Sequence, residues 1–296
     1  MKRMLNPLVL DFDAAVHALP GEQRIALSDW QEAIRFGCRM KTLRALKAAL
    51  APQLDALQGP AFPIFIGSGD YHHVSYLLIE RLRHLREPLR EPLRVVVFDN
   101  HPDNMRYPFG IHCGSWVWHV SRLPHVASVE VLGITSSDVE AGHAWENHLR
   151  PLRQNKVRYG CVGRDVGLLQ KLGGRGANSY ASTTELLDAF TATLDASSAP
   201  IYLSIDKDVL SPQDVHTNWD QGTMRWSELG AVIEQLRERL VGCDVTGDVS
   251  VYRYQSRFKR FLSGLDQQPD IPARQLSDWQ RDQHTLNLDL LRRLAR

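Results

Sequence analysis

Two runs of β-branched and aromatic residues in this 296-residue chain each end in a knot of acids. Val95-Val96-Val97-Phe98 leads into Asp99-Asn100-His101-Pro102-Asp103, and Ile201-Tyr202-Leu203-Ser204-Ile205 leads into Asp206-Lys207-Asp208. Unbroken apolar runs of this length are what strands covered on both faces look like, and parallel strands are the usual case. In open α/β sheets, ligand chemistry collects at the carboxyl ends of such strands. Side chains two apart in an extended segment point the same way, so Asp99, His101 and Asp103 can converge. Asp206 and Asp208 obey the same spacing, with Lys207 between them pointing away. Pro102 fits where the strand has ended. Four carboxylates and an imidazole on one rim repel unless cations sit among them. The pattern therefore predicts a metal-dependent enzyme with room for two ions. Mixed carboxylate and imidazole ligands suit Mn, Fe, Ni or Zn better than Mg or Ca.

The rest of the chain alternates in the same style. Strands are expected at Leu8 to Asp13, Phe62 to Ile66, Arg94 to Phe98, Val129 to Ile134, Lys156 to Val162, Ile201 to Ile205 and Asp244 to Tyr252. Helices are expected from Ser28 to about Leu50 behind the capping box Ser28-Asp29-Trp30-Gln31, from His72 to Leu85, from Ser182 to Leu194, from Trp226 to Leu240, and from Ser277 onward. Prolines make residues 85–94 a connector, and 263–274 reads as a loop. This alternation predicts an α/β fold with three αβα layers and a mostly parallel sheet. No composition break marks a boundary, so residues 1–296 are taken as a single domain.

Bulk properties exclude several classes. With Lys+Arg 35 against Asp+Glu 34 the net charge is +1, which gives no reason to expect nucleic acid or an acidic membrane as partner. No apolar stretch reaches the roughly 20 residues that cross a bilayer, and Asp11 and Asp13 interrupt the apolar N-terminus too early for a signal peptide. Cys38, Cys113, Cys161 and Cys243 are far apart and form no CxxC pair, as expected of idle thiols in a reducing cytosol. A cytoplasmic enzyme acting on a small molecule is the expectation.

Three motifs in order then resemble the ureohydrolases: arginase, agmatinase, formiminoglutamase and relatives. The family's GGDH, DAHxD and SxDxD strings are matched by Gly69-Asp70-Tyr71-His72, Asp99-Asn100-His101-Pro102-Asp103 and Ser204-Ile205-Asp206-Lys207-Asp208. The resemblance spans residues 60 to 250 and implies an arginase-like fold with two Mn2+ ions, Ni, Fe or Zn being alternatives. One ion would be held by His72, Asp99, Asp103 and Asp206, the other by His101, Asp99, Asp206 and Asp208. Tyr71 is inserted in the first motif, so His73 is the fallback for His72. The resemblance also implies hydrolysis of a C–N bond in a guanidino- or formimino-type substrate by a metal-bridging hydroxide. Asp103 would pass a proton to the leaving amine. His112, in Ile111-His112-Cys113-Gly114-Ser115, would be a proton shuttle, with His119 a weaker candidate. Trp116 and Trp118 are candidates for the pocket wall. Related enzymes form trimers or hexamers, so a homo-oligomer is in keeping with the family.

The family's late guanidinium-binding acid, from a D-[IV]-V-E string, is altered. Here Asp244-Val245-Thr246-Gly247-Asp248 puts Gly247 at the Glu position, with Asp248 one place on as the candidate substrate contact. Asn218 and Trp219, in the stretch after the last ligands, are the other substrate-binding candidates. Two further readings use the same residues. A deacetylase-like amidohydrolase would hold one Zn on Asp99, His101 and Asp206, leaving His72, Asp103 and Asp208 without a task. A non-catalytic relative would bind metal without turnover. A DxD string at Asp11 and Asp13 also resembles haloacid-dehalogenase phosphatases, but no partner set follows it.

Overall fold

The computed structural model describes residues 5–57, 62–85, 91–194, 197–257, 259–260 and 271–295. The strands, in chain order, are β1 Leu8–Asp11, β2 Gln23–Ala26, β3 Gly37–Cys38, β4 Ile64–Gly67, β5 Leu93–Phe98, β6 Ile111–His112, β7 Val126–Ile134, β8 Val157–Val162, β9 Ala177–Tyr180, β10 Ile201–Asp206 and β11 Leu240–Thr246. Nine of them form one sheet in the order β2-β1-β4-β11-β10-β5-β7-β8-β9, and every pairing is parallel. β3 and β6 make a separate antiparallel ribbon.

Each central strand feeds two cores. On β5, Val95 and Val97 face one apolar cluster and Val96 and Phe98 face the other. On β10, Tyr202 joins the first cluster while Ile201, Leu203 and Ile205 join the second. The alternation explains why these strands read as continuous apolar runs: period two is present, but both faces are buried. Helices cover the faces with apolar stripes at helical spacing. Leu43, Leu46 and Leu50 are the buried stripe of the helix Met40–Asp55. Leu229, Val232, Ile233 and Leu236 serve Trp226–Leu236, and Leu286, Leu290, Leu291 and Leu294 serve the long C-terminal helix Ala273–Ala295. This is the expected three-layer αβα architecture.

Several expected boundaries are corrected. The helix expected over 28–50 is broken: a 3-10 turn Ser28–Trp30 and a short helix Gln31–Ile34 precede β3, and the long helix begins only at Met40. The break falls where Phe36 takes φ +70 and Arg35 turns inward. β11 stops at Thr246 instead of running to Tyr252, because Gly247 takes φ +88. The helix expected from His72 starts as a 3-10 segment, Gly69–Val74, and becomes α-helical at Ser75. β2 and β9 were not expected; they are the two sheet edges, half exposed, and lack the apolar runs of the centre. Half of the connector at 85–94 and most of the loop at 263–274 lie outside the described residues.

A buried arginine ties distant segments beneath the sheet's carboxyl rim. Arg35 Nε lies 2.6 Å from Asp70 Oδ2, and its Nη1 donates to Ser250 Oγ at 2.8 Å and lies 3.5 Å from Asp13 Oδ2. Its guanidinium sits 5.5 Å from the Tyr71 ring and 5.7 Å from the Tyr252 ring. Burial pushes the Asp13 carboxyl up to about 6, against the pull of Arg35. A carboxyl raised above its unfolded value adds stability that is complete below about pH 4 and lost as pH rises through about 6. Moving from pH 4 to pH 7, metal-free wild type should therefore lose about 2–3 kcal/mol relative to Asp13→Asn. Urea unfolding of both proteins across that range measures it, and a difference that stays flat would refute the assignment.

Candidate metal centre

Residue spacing and sheet register together build the centre. β10 pairs with β5 so that Ile205 lies beside Phe98, which places Asp206 and Asp99 at the same height on neighbouring strands. Both are buried. β4, two strands away, ends at Gly67, and Ser68 caps the following 3-10 segment by accepting from the Asp70 N–H. That segment delivers His72. Tyr71, the apparent insertion, is absorbed in the core: its ring stacks on Phe12 with centroids 4.7 Å apart.

The expected ligands converge. His72 Nδ1 lies 3.1 Å from Asp99 Oδ2, 3.1 Å from Asp103 Oδ2 and 3.4 Å from Asp206 Oδ2. His101 Nδ1 lies 2.9 Å from Asp208 Oδ2 and 3.6 Å from Asp99 Oδ1. Two clusters of metal-ligand type result, His72 with Asp99 and Asp103, and Asp99 with His101 and Asp208. Asp99 belongs to both and turns one oxygen to each. His73, the fallback, makes no contact with these carboxylates; it is buried, and burial with the nearby His112 holds its pKa well below the ordinary value.

The imidazoles are oriented from behind. Ser204 Oγ donates to Asp244 Oδ1 at 2.6 Å, and Tyr202 OH donates to Asp244 Oδ2 at 2.5 Å. With its only proton spent, Ser204 Oγ accepts from His72 Nε2 at 2.9 Å. The Nδ1 lone pair of His72 is then aimed at three carboxylates. Both His72 Nδ1 and Asp99 Oδ2 are buried without a hydrogen-bond partner. His101 is set likewise: Asp220 Oδ1 lies 2.8 Å from its Nε2. A carboxylate or hydroxyl behind a ligating imidazole is a recurrent feature of metal sites. Asp103 takes φ +47 to bring its carboxylate inward, where Oδ2 accepts from Trp116 Nε1 at 2.6 Å. Asp206 Oδ2 accepts from Thr246 Oγ1 at 3.0 Å, and Asp208 Oδ1 from the Asn100 N–H at 3.0 Å.

Without cations such a group keeps protons. Burial, then the charge of Asp99, raises the Asp103 carboxyl to about 8. Burial, then Asp206 and Asp99, raises Asp208. For His72 burial is opposed and overcome by Asp103 and Asp99, and for His101 by Asp208, so both imidazoles are raised. Paired carboxylates, two imidazoles with Nδ1 facing inward and orphaned buried acceptors fit a pair of divalent transition ions.

Other expected residues are placed differently. Asp248 is corrected as a substrate contact: Lys207, on the opposite face from Asp206 by strand alternation, puts its Nζ 2.8 Å from Asp248 Oδ1. Asn287 Nδ2 of the C-terminal helix donates to the same oxygen, and both Lys207 and Asp248 are fully buried. Asn218 lines the cavity over the centre, but both ends of its amide hold the Ser250 backbone. Trp219 lines the cavity, its ring edge-on to His101 with centroids 6.0 Å apart. His112 also lines it; its Nδ1 accepts from the Gly114 N–H at 2.9 Å, and burial lowers its pKa to about 4. Trp116 lies behind Asp103 instead of on the wall, and Trp118 stacks on His148 with centroids 4.4 Å apart. His119 packs edge-on to Tyr76. Asp220, Ser204 with Asp244, and Trp116 as a donor to Asp103 were not anticipated as orienting groups. Asp220 falls in the stretch singled out after the ligands, and Ser204 and Asp244 are letters of the quoted motifs.

The arginase family model matches residues 21–247. This chain belongs to the arginase family. The match ends at Gly247. An uncharacterized protein of Thermotoga maritima is 27% identical over 186 residues, 62% of this chain and 57% of that protein, so the matched part spans little more than half of that relative. Arginase from Bacillus subtilis aligns over 99% of this chain and 98% of its own with a TM-score of 0.54 and 12% identity. Formimidoylglutamase from the same species aligns over 86% of this chain and 67% of its own with a TM-score of 0.51 and 16% identity. At these identities the likeness to both structures is one of fold.

Two outcomes follow from the geometry. A Cβ at Gly247 would lie 2.6 Å from Asp206 Oδ1, on a backbone already at φ +88. Gly247→Ala should cost about 2 kcal/mol or more in stability and lower metal content, checked by thermal melting and by elemental analysis of the purified protein. Because ions must displace protons from Asp103, Asp208 and the two imidazoles, Mn2+ binding should release protons at pH 7 and tighten as pH rises. Calorimetry in two buffers of unlike ionisation enthalpy reads the proton count, and a count of zero would contradict the protonated apo centre.

Proposed function

We propose that this arginase-family protein is a hydrolase that uses two divalent ions, Mn2+ first among them, to break a C–N bond in a guanidino- or formimino-type substrate. The observation that carries the reading is the sharing of Asp99: one carboxylate faces both the His72 cluster and the His101 cluster. A single-ion site would leave one of these clusters without a role. His72, Asp99, Asp103 and Asp206 would hold one ion, and His101, Asp99, Asp206 and Asp208 the other. Bound together, two such ions would supply a water acidic enough to ionise near neutral pH and act as the nucleophile.

The chain's own groups do the remaining work in this reading. Asp103, fixed by the Trp116 indole, offers a carboxyl within reach of the reacting centre to carry a proton to the departing nitrogen. His112, neutral with Nδ1 occupied by Gly114, presents Nε2–H and acts in our proposal as a proton carrier at the cavity wall. Trp219 and Asn218 shape the wall, and Asn218 is held in place by the Ser250 backbone. Four buried cysteines far apart in the chain support an intracellular, cytoplasmic setting. The family's habit of forming trimers or hexamers supports a homo-oligomer.

Elemental analysis together with urea, ammonia and formamide release over a panel of guanidino and formimino compounds tests the proposal. Wild type should carry two ions per chain and turn over at least one compound. Asp206→Asn should drop to one ion or fewer and lose activity by about a hundredfold or more. Saturation at a single ion per chain would sink the binuclear reading.

A further inference from the structure

We propose that Lys207 is a positioning residue for the metal centre: with Asp248 and the C-terminal helix Ala273–Ala295 it fixes the turn on which Asp206 and Asp208 stand. The proposal rests on the reading of those two aspartates as ion ligands. Lys207 lies between them, where β10 gives way to the 3-10 turn Lys207–Val209. Asp206 and Asp208 reach His72 and His101, whereas Lys207 leaves on the other side and puts its Nζ 2.8 Å from Asp248 Oδ1. A roll of this turn would swing both carboxylates at once. Lys207 is the lever opposite them, and an ion pair at its tip blocks the roll.

The helix supplies the fixed end of that lever. Its apolar stripe, Leu286, Leu290, Leu291 and Leu294, joins the core beneath the sheet. Gln280, Gln283 and Asn287 follow at helical spacing and grip three successive residues past β11. Gln280 Nε2 donates to the Val249 carbonyl at 2.9 Å, Gln283 Nε2 to the Gly247 carbonyl at 2.9 Å, and Asn287 Nδ2 to Asp248 Oδ1 at 3.0 Å. Gln283 Nε2 also reaches the His216 carbonyl at 2.6 Å. Lys207, Asp248, Gln283 and Asn287 are all buried. Buried amides and charges cost free energy unless they are paired, and covering a sheet asks only for leucines. The directional bonds of this seam set where the helix sits along 247–249 and where the Lys207 ammonium ends.

The same segment bears on a ligand a second time. A Cβ at Gly247 would come 2.6 Å from Asp206 Oδ1 and 2.7 Å from the Lys207 backbone nitrogen. The helix thus acts on the ligand turn by two routes, the Gly247 backbone and the Asp248–Lys207 pair. Lys207, Asp248, Gln283 and Asn287 stand outside the cavity lining, so a defect in the seam is felt through ligand geometry and not through contact with a substrate. Groups that orient ligands from behind commonly change metal affinity ten- to a hundredfold when lost.

Three variants test this. Lys207→Met with Asp248→Leu exchanges the buried pair for an apolar one, a change that folds commonly tolerate. Asn287→Ala cuts only the helix's hold on Asp248 and decides the matter if the double variant does not fold. Leu290→Ala weakens the same helix away from the seam. For each, calorimetry gives Mn2+ affinity, electron paramagnetic resonance reports the coupling between bound ions, urea unfolding gives metal-free stability, and product release is followed over guanidino and formimino compounds. The double variant should bind Mn2+ about tenfold or more weakly, with a spectrum moved toward that of isolated ions, and Asn287→Ala should lose less in the same direction. Leu290→Ala should unfold at lower urea yet keep wild-type Mn2+ affinity. Seam variants that bind Mn2+ within about twofold of wild type overturn the proposal, and so does an equal loss in Leu290→Ala. Wild type that takes up two ions but releases no product loses the hydrolase reading and keeps this proposal if the seam variants behave as expected. Wild type that takes up no Mn2+ removes both.

Discussion

Everything around the centre is arranged to keep four carboxylates close together away from water. Asp99 and Asp206 reach the rim from adjacent parallel strands in register, so their separation is set by strand spacing and not by loops. Burial first, and the like charges of neighbouring aspartates second, raise the carboxyls of Asp103 and Asp208. Protons relieve both in the absence of ions. The site is thus held poised by the surrounding fold, and much of its binding capacity is already present before any ion arrives.

The support behind the ligands is as ordered as the ligands themselves. Tyr202, Ser204 and Asp244 form a chain that ends on His72 Nε2, and all three come from the two strands at the middle of the sheet. Asp220 does the same for His101, but from an exposed loop. One imidazole is therefore fixed by the core and the other by the rim. Glycines at 69 and 247 hold the space on either side of Asp206, since a Cβ at Gly69 would come within 2.8 Å of Asp206 Oδ2 and one at Gly247 within 2.6 Å of Oδ1.

The central strands and the convergence of the candidate residues at their tips were legible because the signals are local. Val95–Phe98 and Ile201–Ile205 are apolar runs with no alternation, and the spacing of two in D-x-H-x-D and D-x-D survives wherever the segment remains nearly extended. His72 was readable only through the motif resemblance, since nothing in the string Asp70-Tyr71-His72-His73 says which imidazole faces inward; the 3-10 geometry of Gly69–Val74 decides it. Asp248 was misplaced because a partner 41 positions earlier, Lys207, claims it, and long-range pairing leaves no trace in the local sequence. The edge strands β2 and β9 were missed for the converse reason: with one side open to solvent they need no apolar run. The break of the first helix at Arg35 is likewise a tertiary effect, drawn by Asp70 and Ser250 against the helical capping signal at Ser28.

Arg35 deserves a last look for what it implies about biosynthesis. It joins Asp13, Asp70 and Ser250, which lie near the start, in the first third and close to the end of the chain. A ribosome that has released the first two hundred residues has exposed most ligands, yet the clasp beneath Gly69–Val74 still lacks its closing partner. His72 then rides on an unlocked segment. Any ion held through His72 would therefore gain its full support only once the Ser250 segment has docked on Arg35.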